Sequence, residues 1–573
     1  MASKKKKKFY QQPKVTASSS AQSQPHKEIK LPTTPLRFTL LVTAAFFAIA
    51  LLGMLSHEMW RDEHQAWLVA RDANSLSQLL DNMNYEGNPA LWHFFLYWIS
   101  RVTHDPIYMQ AFHLLVATSF IFIFNRYATL SNLHKILFSF GYFPLYEYAV
   151  ISRSYGLGIL LLFGICALFK TRTTKYILIG LLLALLANVT IYAVVIACCI
   201  AGILVLDYFL YQQRNGKSMM QLATGLVIFI LGVAFSLYQI WPDKDNSFPA
   251  PYANSLFDFP RWWQVSSKLF TTYAYIPQIQ EHFWNSNIYF KDTGTTATGN
   301  FSDWLSVHPD YLLLWVILPI ITFVTGILIF LRKPMILLLY IGMTIGLFSV
   351  YYYTALMHSR YCGYLLIALV VCYWLSEYYP EKKYYGTLPG LGKKISRPFL
   401  TAVLALNVIG AIVAYSVEMQ YKFSPSKEVA NYIKENKLDS LPIVGVTDFT
   451  ISPLATYLDK KIYYPQMNDF GSFTIWSKKR KDQMTFNEAV ASLGAFIDKH
   501  NQKALWIKDS APQVSMDGKN QQDMEKAILR NDLQVDLLKK FSPGIVGDER
   551  YFIYLVQKID PAKVDYSKYI KID

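Results

Sequence analysis

Long apolar runs divided by short polar breaks dominate the chain from Leu36 onward. They fall near 37–56, 106–125, 136–151, 155–169, 176–188, 190–210, 221–241, 311–331, 335–353, 361–378 and 399–417. A bilayer core is about 30 Å thick and takes about 20 apolar helical residues to cross, so these runs predict about eleven transmembrane helices. The shortest lie around Ser152 and Asn188, where a hairpin of two spans competes with one broken helix. Beyond 418 the pattern changes. Helical spacing over Lys427–Lys437, Phe486–His500 and Asp523–Leu529 alternates with strand-like runs at Ile443–Thr447, Ala504–Ile507, Val535–Leu538 and Tyr551–Val556. That alternation predicts a soluble α/β layer domain. No Gly-rich phosphate-cradling turn follows these strands, which argues against nucleotide binding.

Composition agrees with the pattern: 53% of the 573 residues are hydrophobic and only 17% charged, as expected of an integral membrane protein with soluble parts. The net charge of +15 does not point to nucleic acid, because the positive residues form no groove-like run with interleaved aromatics. They cluster in alternate loops: Arg126 and Lys135; Lys170, Arg172 and Lys175; Arg214 and Lys217; Arg332 and Lys333; and Lys382 through Arg397. Residues 1–35, which open with Lys4–Lys8, cannot bury enough apolar surface to fold and are expected to be a disordered tail touching anionic lipid. The positive-inside rule then puts that tail and those loops in the cytoplasm and the other loops outside. The expected organisation is therefore a cytoplasmic tail (1–35), a transmembrane domain (36–417) with external loops 57–105 and 242–310, and an external α/β domain (418–573), all at a plasma or inner membrane. Cys166, Cys198, Cys199, Cys362 and Cys372 lie in or beside apolar spans without metal-ligand spacing and read as small core residues.

The first external loop carries two acidic stretches, Trp60-Arg61-Asp62-Glu63-His64 and Tyr85-Glu86-Gly87-Asn88-Pro89. Leu76, Leu79, Leu80 and Met83 recur at helical spacing after Asn74-Ser75, which can cap, and a second apolar stretch with Leu91, Trp92, Phe95, Trp98 and Ile99 follows Pro89 with Asn88 as its candidate cap. Both are too short to span and are expected to lie in the interface. Loop 242–310 is rich in aromatics, has no strong periodicity and reads as a binding loop or lid. The remaining external polar groups are Arg153 in Ser152-Arg153-Ser154-Tyr155, and His358, Arg360 and Tyr361 at the head of the tenth run. A lone arginine at a membrane boundary is more often snorkelling than functional. Two of them facing a carboxylate pair across one compartment suit a lipid-linked phosphate, which arginine grips bidentately.

In the order of these motifs the chain resembles the GT-C superfamily of multi-span glycosyltransferases, of the protein O-mannosyltransferase and lipid A aminoarabinose transferase type. The resemblance rests on Asp62-Glu63 after the first span, on Glu86-Gly87-Asn88-Pro89-Ala90-Leu91 where the family often has acidic-x-His-Pro-Pro-Leu, and on Ser359-Arg360-Tyr361 at a late span. It implies a polyprenyl-phosphate sugar donor and transfer to a glycan, lipid or protein hydroxyl at the external face. Asp62, with Glu63 next, is then the expected general base; Arg153, Arg360 and His358 the donor-phosphate ligands; and Glu86, Asn88, Tyr85 and Tyr361 the sugar or acceptor ligands. The leaving group is already a stable anion, so no general acid is obligatory. No cofactor is required by the sequence, although oxygen and imidazole ligands at these positions are compatible with a divalent metal. A transporter or flippase of a lipid-linked substrate is the rival reading, weakened by the lack of an evident inverted repeat and by charges set at the boundary rather than mid-bilayer. A membrane scaffold with a partner-binding terminal domain would leave the acidic loop unexplained.

Overall fold

The computed structural model describes residues 34–211, 216–247, 258–279, 283–289, 312–354, 358–382, 387–511, 513–515, 521–563 and 569–572. The expected tail, apart from its last residues, and about half of loop 242–310 lie outside them. Among the described residues nine helices are long and apolar enough to cross a membrane, from Leu36–Ser56 to Leu388–Glu418. Two of the eleven expected spans are built differently. Run 136–151 is the helix Asn132–Ser139 followed by a π-helical turn, Phe143–Glu147, where Pro144 lacks an N–H for a regular helix. Run 176–188 is the 12-residue helix Tyr176–Ala187, only about 18 Å long. It lies against Ser218–Ile240 along a seam of small residues, where a Cβ on Gly180 would meet the backbone of Gly225 and one on Gly232 would meet Ala184. Close approach of that kind replaces the missing hydrophobic drive between helices in lipid.

Polar contacts at the ends of these segments fall into two groups. On one face Arg153 meets Asp62, Asn188 O accepts from Leu91 N, and Gln239 accepts from Ala90 N at 2.7 Å. On the other, Lys135 Nζ reaches Asn125 O, Arg172 pairs with Asp207, Thr129 donates to Trp374 O, and Lys333 Nζ donates to Ser376 O. A crossing by each of the two shorter segments, beside the nine long helices, would make successive loops alternate between these two groups.

Between the first two long spans lie three short helices: Arg61–Arg71, Leu76–Asn82 and Leu91–Ser100. Ser75 caps the second through Gln78 N, as the sequence predicts. Two points differ from expectation. Asp62 and Glu63 sit in the first turn of a helix rather than in a loop, their charges favourable at its N-terminus. Asn88 is not a cap, because the third helix begins after Ala90, whose N–H is taken by Gln239. Within the 242–310 loop the structure shows a 15-residue helix, Phe259–Tyr273, capped by Asp258, with Trp262 stacked on Tyr352 at 4.6 Å.

After the last span the chain forms a mixed eight-stranded sheet of order β10-β7-β8-β9-β4-β1-β2-β3. The strands are β1 Ile443–Gly445, β2 Ile462–Tyr464, β3 Asp469–Gly471, β4 Ala504–Lys508, β7 Lys526–Leu529, β8 Leu533–Phe541, β9 Tyr551–Lys558 and β10 Ile570–Ile572; β5 (Gln513–Ser515) and β6 (Gln521–Asp523) pair separately. Alternate side chains serve opposite faces. Val444, Trp506 and Tyr554 pack with Leu493 and Phe496 of the helix Phe486–His500, whereas Ile443, Ile507 and Ile553 pack with Val429 and Ile433 of the helix Ser426–Glu435 and with Leu68 beside the membrane. The expected helix over Asp523–Leu529 is strand instead. Ala527, Ile528 and Leu529 are all buried, and a short loop with Arg530 and Asn531 at φ of 55 and 62° turns β7 directly into β8.

The alternation of faces is checked by labelling. Cysteines introduced at Ser75 and Lys499 should react with a membrane-impermeant maleimide added to intact cells or spheroplasts, and one at Gly216 only after permeabilisation. Reaction of Ser75→Cys and Gly216→Cys from the same side would contradict the crossing pattern.

Candidate functional site

The site is assembled where the helix Arg61–Arg71 meets the heads of two spans. Asp62 Oδ2 lies 3.0 Å from Arg153 Nη1 and 3.3 Å from Arg360 Nη2. Arg153 projects from the bend before the span that starts at Tyr155, and Arg360 from the first turn of Ser359–Ser376. Arg360 is tightly held. Its carbonyl accepts from Tyr148 OH at 2.8 Å, its Nη2 donates to Tyr361 OH at 3.0 Å, and its guanidinium lies 5.2 Å from the Trp60 ring centroid. Gly363 allows this, since a Cβ there would strike Tyr148 and Phe143. Arg360 Nε and Nη1 are nevertheless buried with no hydrogen-bond partner. Buried guanidinium N–H groups without an acceptor are costly and mark a place for an anion.

Burial alone would push the Asp62 carboxyl up, but Arg153, Arg360 and Arg61 outweigh it and hold it below the usual carboxylate range. His358, just ahead of the Arg360 helix, adds to that effect. Glu86 behaves oppositely. Burial raises it, with Gln65 Nε2 donating at 2.7 Å and the charge of Arg153 opposing only in part, while Asp62 raises it further. Asp62 and Glu86 are thus two carboxylates with pKa values displaced in opposite directions, within electrostatic reach of one arginine. Tyr361 stacks on Tyr192 at 5.4 Å and forms the wall behind Arg360. Tyr85 points elsewhere, its hydroxyl donating to Asp245 at 3.0 Å in the segment that pairs Asn246 with Ser477 of the terminal domain. Asn88 is half-buried beside Glu86.

Glu63, expected beside Asp62 in the chemistry, faces the other way. One oxygen accepts from Ser152 N at 2.6 Å; the other accepts from Trp60 N and from His57 Nε2 at 2.9 Å. His57 Nδ1 in turn meets Glu418 at 3.0 Å, and Tyr146 OH donates to the second Glu418 oxygen at 2.7 Å. All three charged side chains are fully buried. With both oxygens engaged, Glu63 serves to lock the turn that presents Asp62. Burial would lower His57, but the two glutamates prevail and raise it to about 10, and His57 in turn holds Glu63 below its usual value against burial.

The terminal domain completes the enclosure. Glu549 accepts from Arg61 N at 2.9 Å, capping the helix that carries Asp62, and Asp548 pairs with Arg61 Nη1 at 2.7 Å. Thr474 exchanges two hydrogen bonds with Gln65, the partner of Glu86. Sequence reasoning did not find His57, Gln65, Glu418, Glu549 or His93. His93 is buried beside Arg153 with neither ring nitrogen hydrogen-bonded, and burial together with that arginine lowers it to about 3, so it is neutral and able to donate or accept. Its signal in the sequence was a lone histidine on an apolar helix, which by itself reads as core. Among the described residues no group of three His, Cys, Asp or Glu is arranged to hold a metal ion. Cavities of about 610 and 490 Å³ are found elsewhere in the bundle, the first an apolar groove between the first and last spans and the second at the opposite face.

No protein-family model matches the chain, and no curated protein does. Among solved structures it is similar to ArnT from Cupriavidus metallidurans, in a crystal structure bound to undecaprenyl phosphate (12% identity) and in the apo state (11%); each comparison covers 91% of this chain and 98% of that one, with a TM-score of 0.36.

The His57 triad has a measurable signature. A histidine raised in the folded state stabilises it fully below its ordinary value near 6.5 and loses that contribution as pH rises through about 10, whereas Glu63, depressed, loses its contribution on the acid side. The melting temperature in detergent should therefore fall progressively as pH rises from about 6.5 to about 10. His57→Ala, which leaves two buried carboxylates without a counter-charge, should cost about 3–5 kcal/mol at neutral pH. A wild-type-like melt in that variant would show that the triad carries no such load.

Proposed function

We propose that the protein is a membrane glycosyltransferase that moves a sugar from a polyprenyl-phosphate donor to an acceptor hydroxyl at the external face of the plasma or inner membrane, with its terminal domain on that side. The observation that carries this reading is the arrangement at Asp62: two arginines converge on one carboxylate at the membrane boundary, and one of them keeps two buried N–H groups unengaged. A phosphate anchored in the bilayer by an apolar chain would meet Arg360 and Arg153 where spans end, and the planar fork of arginine fits its oxygens in pairs.

Donor binding would also change Asp62. At rest the arginines stabilise its charge and make it a poor base. A phosphate that takes over their N–H groups relieves that stabilisation, so basicity rises when donor is in place. In the transfer itself the acceptor oxygen bonds to the anomeric carbon while the bond from that carbon to the phosphate oxygen breaks. The acceptor proton goes to Asp62, and the electron pair leaves with polyprenyl phosphate, whose growing charge Arg153 and Arg360 stabilise. Glu86 and His93, both within electrostatic reach of Arg153, together with Asn88 would be ligands for sugar or acceptor hydroxyls, with Tyr361 as a wall. His358 adds positive charge at the phosphate. Tyr85, tied to Asp245, would shape the rim.

Kinetics with a defined donor test the roles. Asp62→Asn preserves shape and removes the proton acceptor, so turnover should fall by about 10²-fold or more with donor affinity little changed. Arg360→Ala should weaken donor binding and slow turnover together, and Arg360→Lys should restore only part, because a point charge cannot reproduce the fork. Near-normal turnover in Asp62→Asn would refute the base assignment, and unchanged donor binding in Arg360→Ala would refute the phosphate clamp.

A further inference from the structure

At the far end of the bundle the span Ser359–Ser376 ends beside a second polar site. The distance from Arg360 to Ser376 is roughly 25 Å at ~1.5 Å per residue. There a cavity of about 490 Å³ opens between the ends of four membrane segments and the loop that joins two of them. Its charged lining consists of Arg332, Lys333, Lys393 and Arg397 against Glu377 and Glu381, four cations to two carboxylates. The ion pairs among them are long: Arg332 to Glu381 at 3.3 Å, Lys333 to Glu377 at 3.7 Å and Lys393 to Glu381 at 3.9 Å. Arg332 Nε is buried without a hydrogen-bond partner, and among the described residues no carboxylate pairs with the exposed Arg397. The helix Asn132–Ser139 starts at this cavity through Ser131, bringing the positive end of its dipole. Below the charged rim the lining turns apolar, with Leu130, Ile329, Phe330 and Leu400.

We infer that this cavity binds the phosphate headgroup of an anionic membrane lipid, with Arg332, Lys393 and Arg397 as its ligands and the apolar floor taking the start of the acyl chains. The excess of two positive charges leaves an anion to be supplied from outside the fold, and arginine with a buried free N–H is suited to phosphate oxygens. A free phosphate would use the rim alone. The apolar floor, at the end of a bundle where lipid chains run, selects an amphiphile, and basic pockets between membrane helices are a recurrent solution for anionic headgroups. The site is independent of the proposed transfer chemistry and lies on the other face of the bundle.

The test uses the full-length protein, stripped of lipid in detergent, and native mass spectrometry of added lipid. Phosphatidylglycerol should be retained over phosphatidylcholine by about tenfold, equivalent to ~1.4 kcal/mol. The double variant Lys393→Gln/Arg397→Gln, at two exposed side chains, should lose that preference, while Lys394→Gln, which removes one charge on the same helix away from the cavity, should keep it. The single variant Arg397→Gln, read the same way, guards against a folding defect in the double. Equal retention of the two lipids, or an undiminished preference in the double variant, would overturn the inference. Displacement of phosphatidylglycerol by excess inorganic phosphate alone would overturn the lipid assignment in favour of a free anion.

Discussion

One buried imidazolium ties together the elements around Asp62. His57 follows the first span, Glu63 belongs to the next helix, and Glu418 ends the last span, 361 residues away from His57. Removing two carboxylates from water is expensive, and the cost is offset by the imidazole between them together with hydrogen bonds from Ser152 N, Trp60 N and Tyr146 OH. Because each donor comes from a different segment, the triad sets the first span, the last span, the π-turn and the short helix at one junction. Asp62 is the next residue along from this junction, so its position relative to Arg153 and Arg360 is inherited from it.

Electrostatics at Asp62 and at Glu549 follow from the same constraint. Once the helix Arg61–Arg71 is pinned, its N-terminus faces the terminal domain, and Glu549 supplies the acceptor for Arg61 N. Burial lifts Glu549 to about 7, with Arg61 opposing. The domain therefore does more than follow the last span: it caps the helix of the site, takes Arg61 away through Asp548, and positions Gln65 on Glu86 through Thr474. Arg153 and Arg360 are left as the guanidiniums on Asp62 that no domain carboxylate engages.

The two ends of the bundle differ in how charge is handled. At the Asp62 end the charges are close, with the Asp62, Arg153 and Arg360 side chains 27, 18 and 10% exposed. At the other end they are more exposed and farther apart, as suits adaptable contact with a lipid headgroup. The span Ser359–Ser376 connects the two, with Arg360 at its head and Ser376 at its foot.

Sequence alone determined what depends on local pattern. The nine long apolar helices, the helix that Ser75 caps, the helix Phe486–His500 and four core strands all follow from hydrophobic period and capping chemistry, which act within a few residues. It also singled out Asp62, Arg153 and Arg360, because charged groups beside long apolar runs are few enough to list. Tertiary structure decided the rest. Asp62 and Glu63 are adjacent and chemically alike, yet neighbouring helix positions point about 100° apart, so one faces two arginines and the other a buried histidine. Lys526–Leu529 is strand because its hairpin partner buries it, overriding a helical spacing. His57, Glu418 and Glu549 could not be read from the sequence, since each is an ordinary polar residue at an element's edge until packing removes water from it and leaves a specific partner as the one way to satisfy its charge.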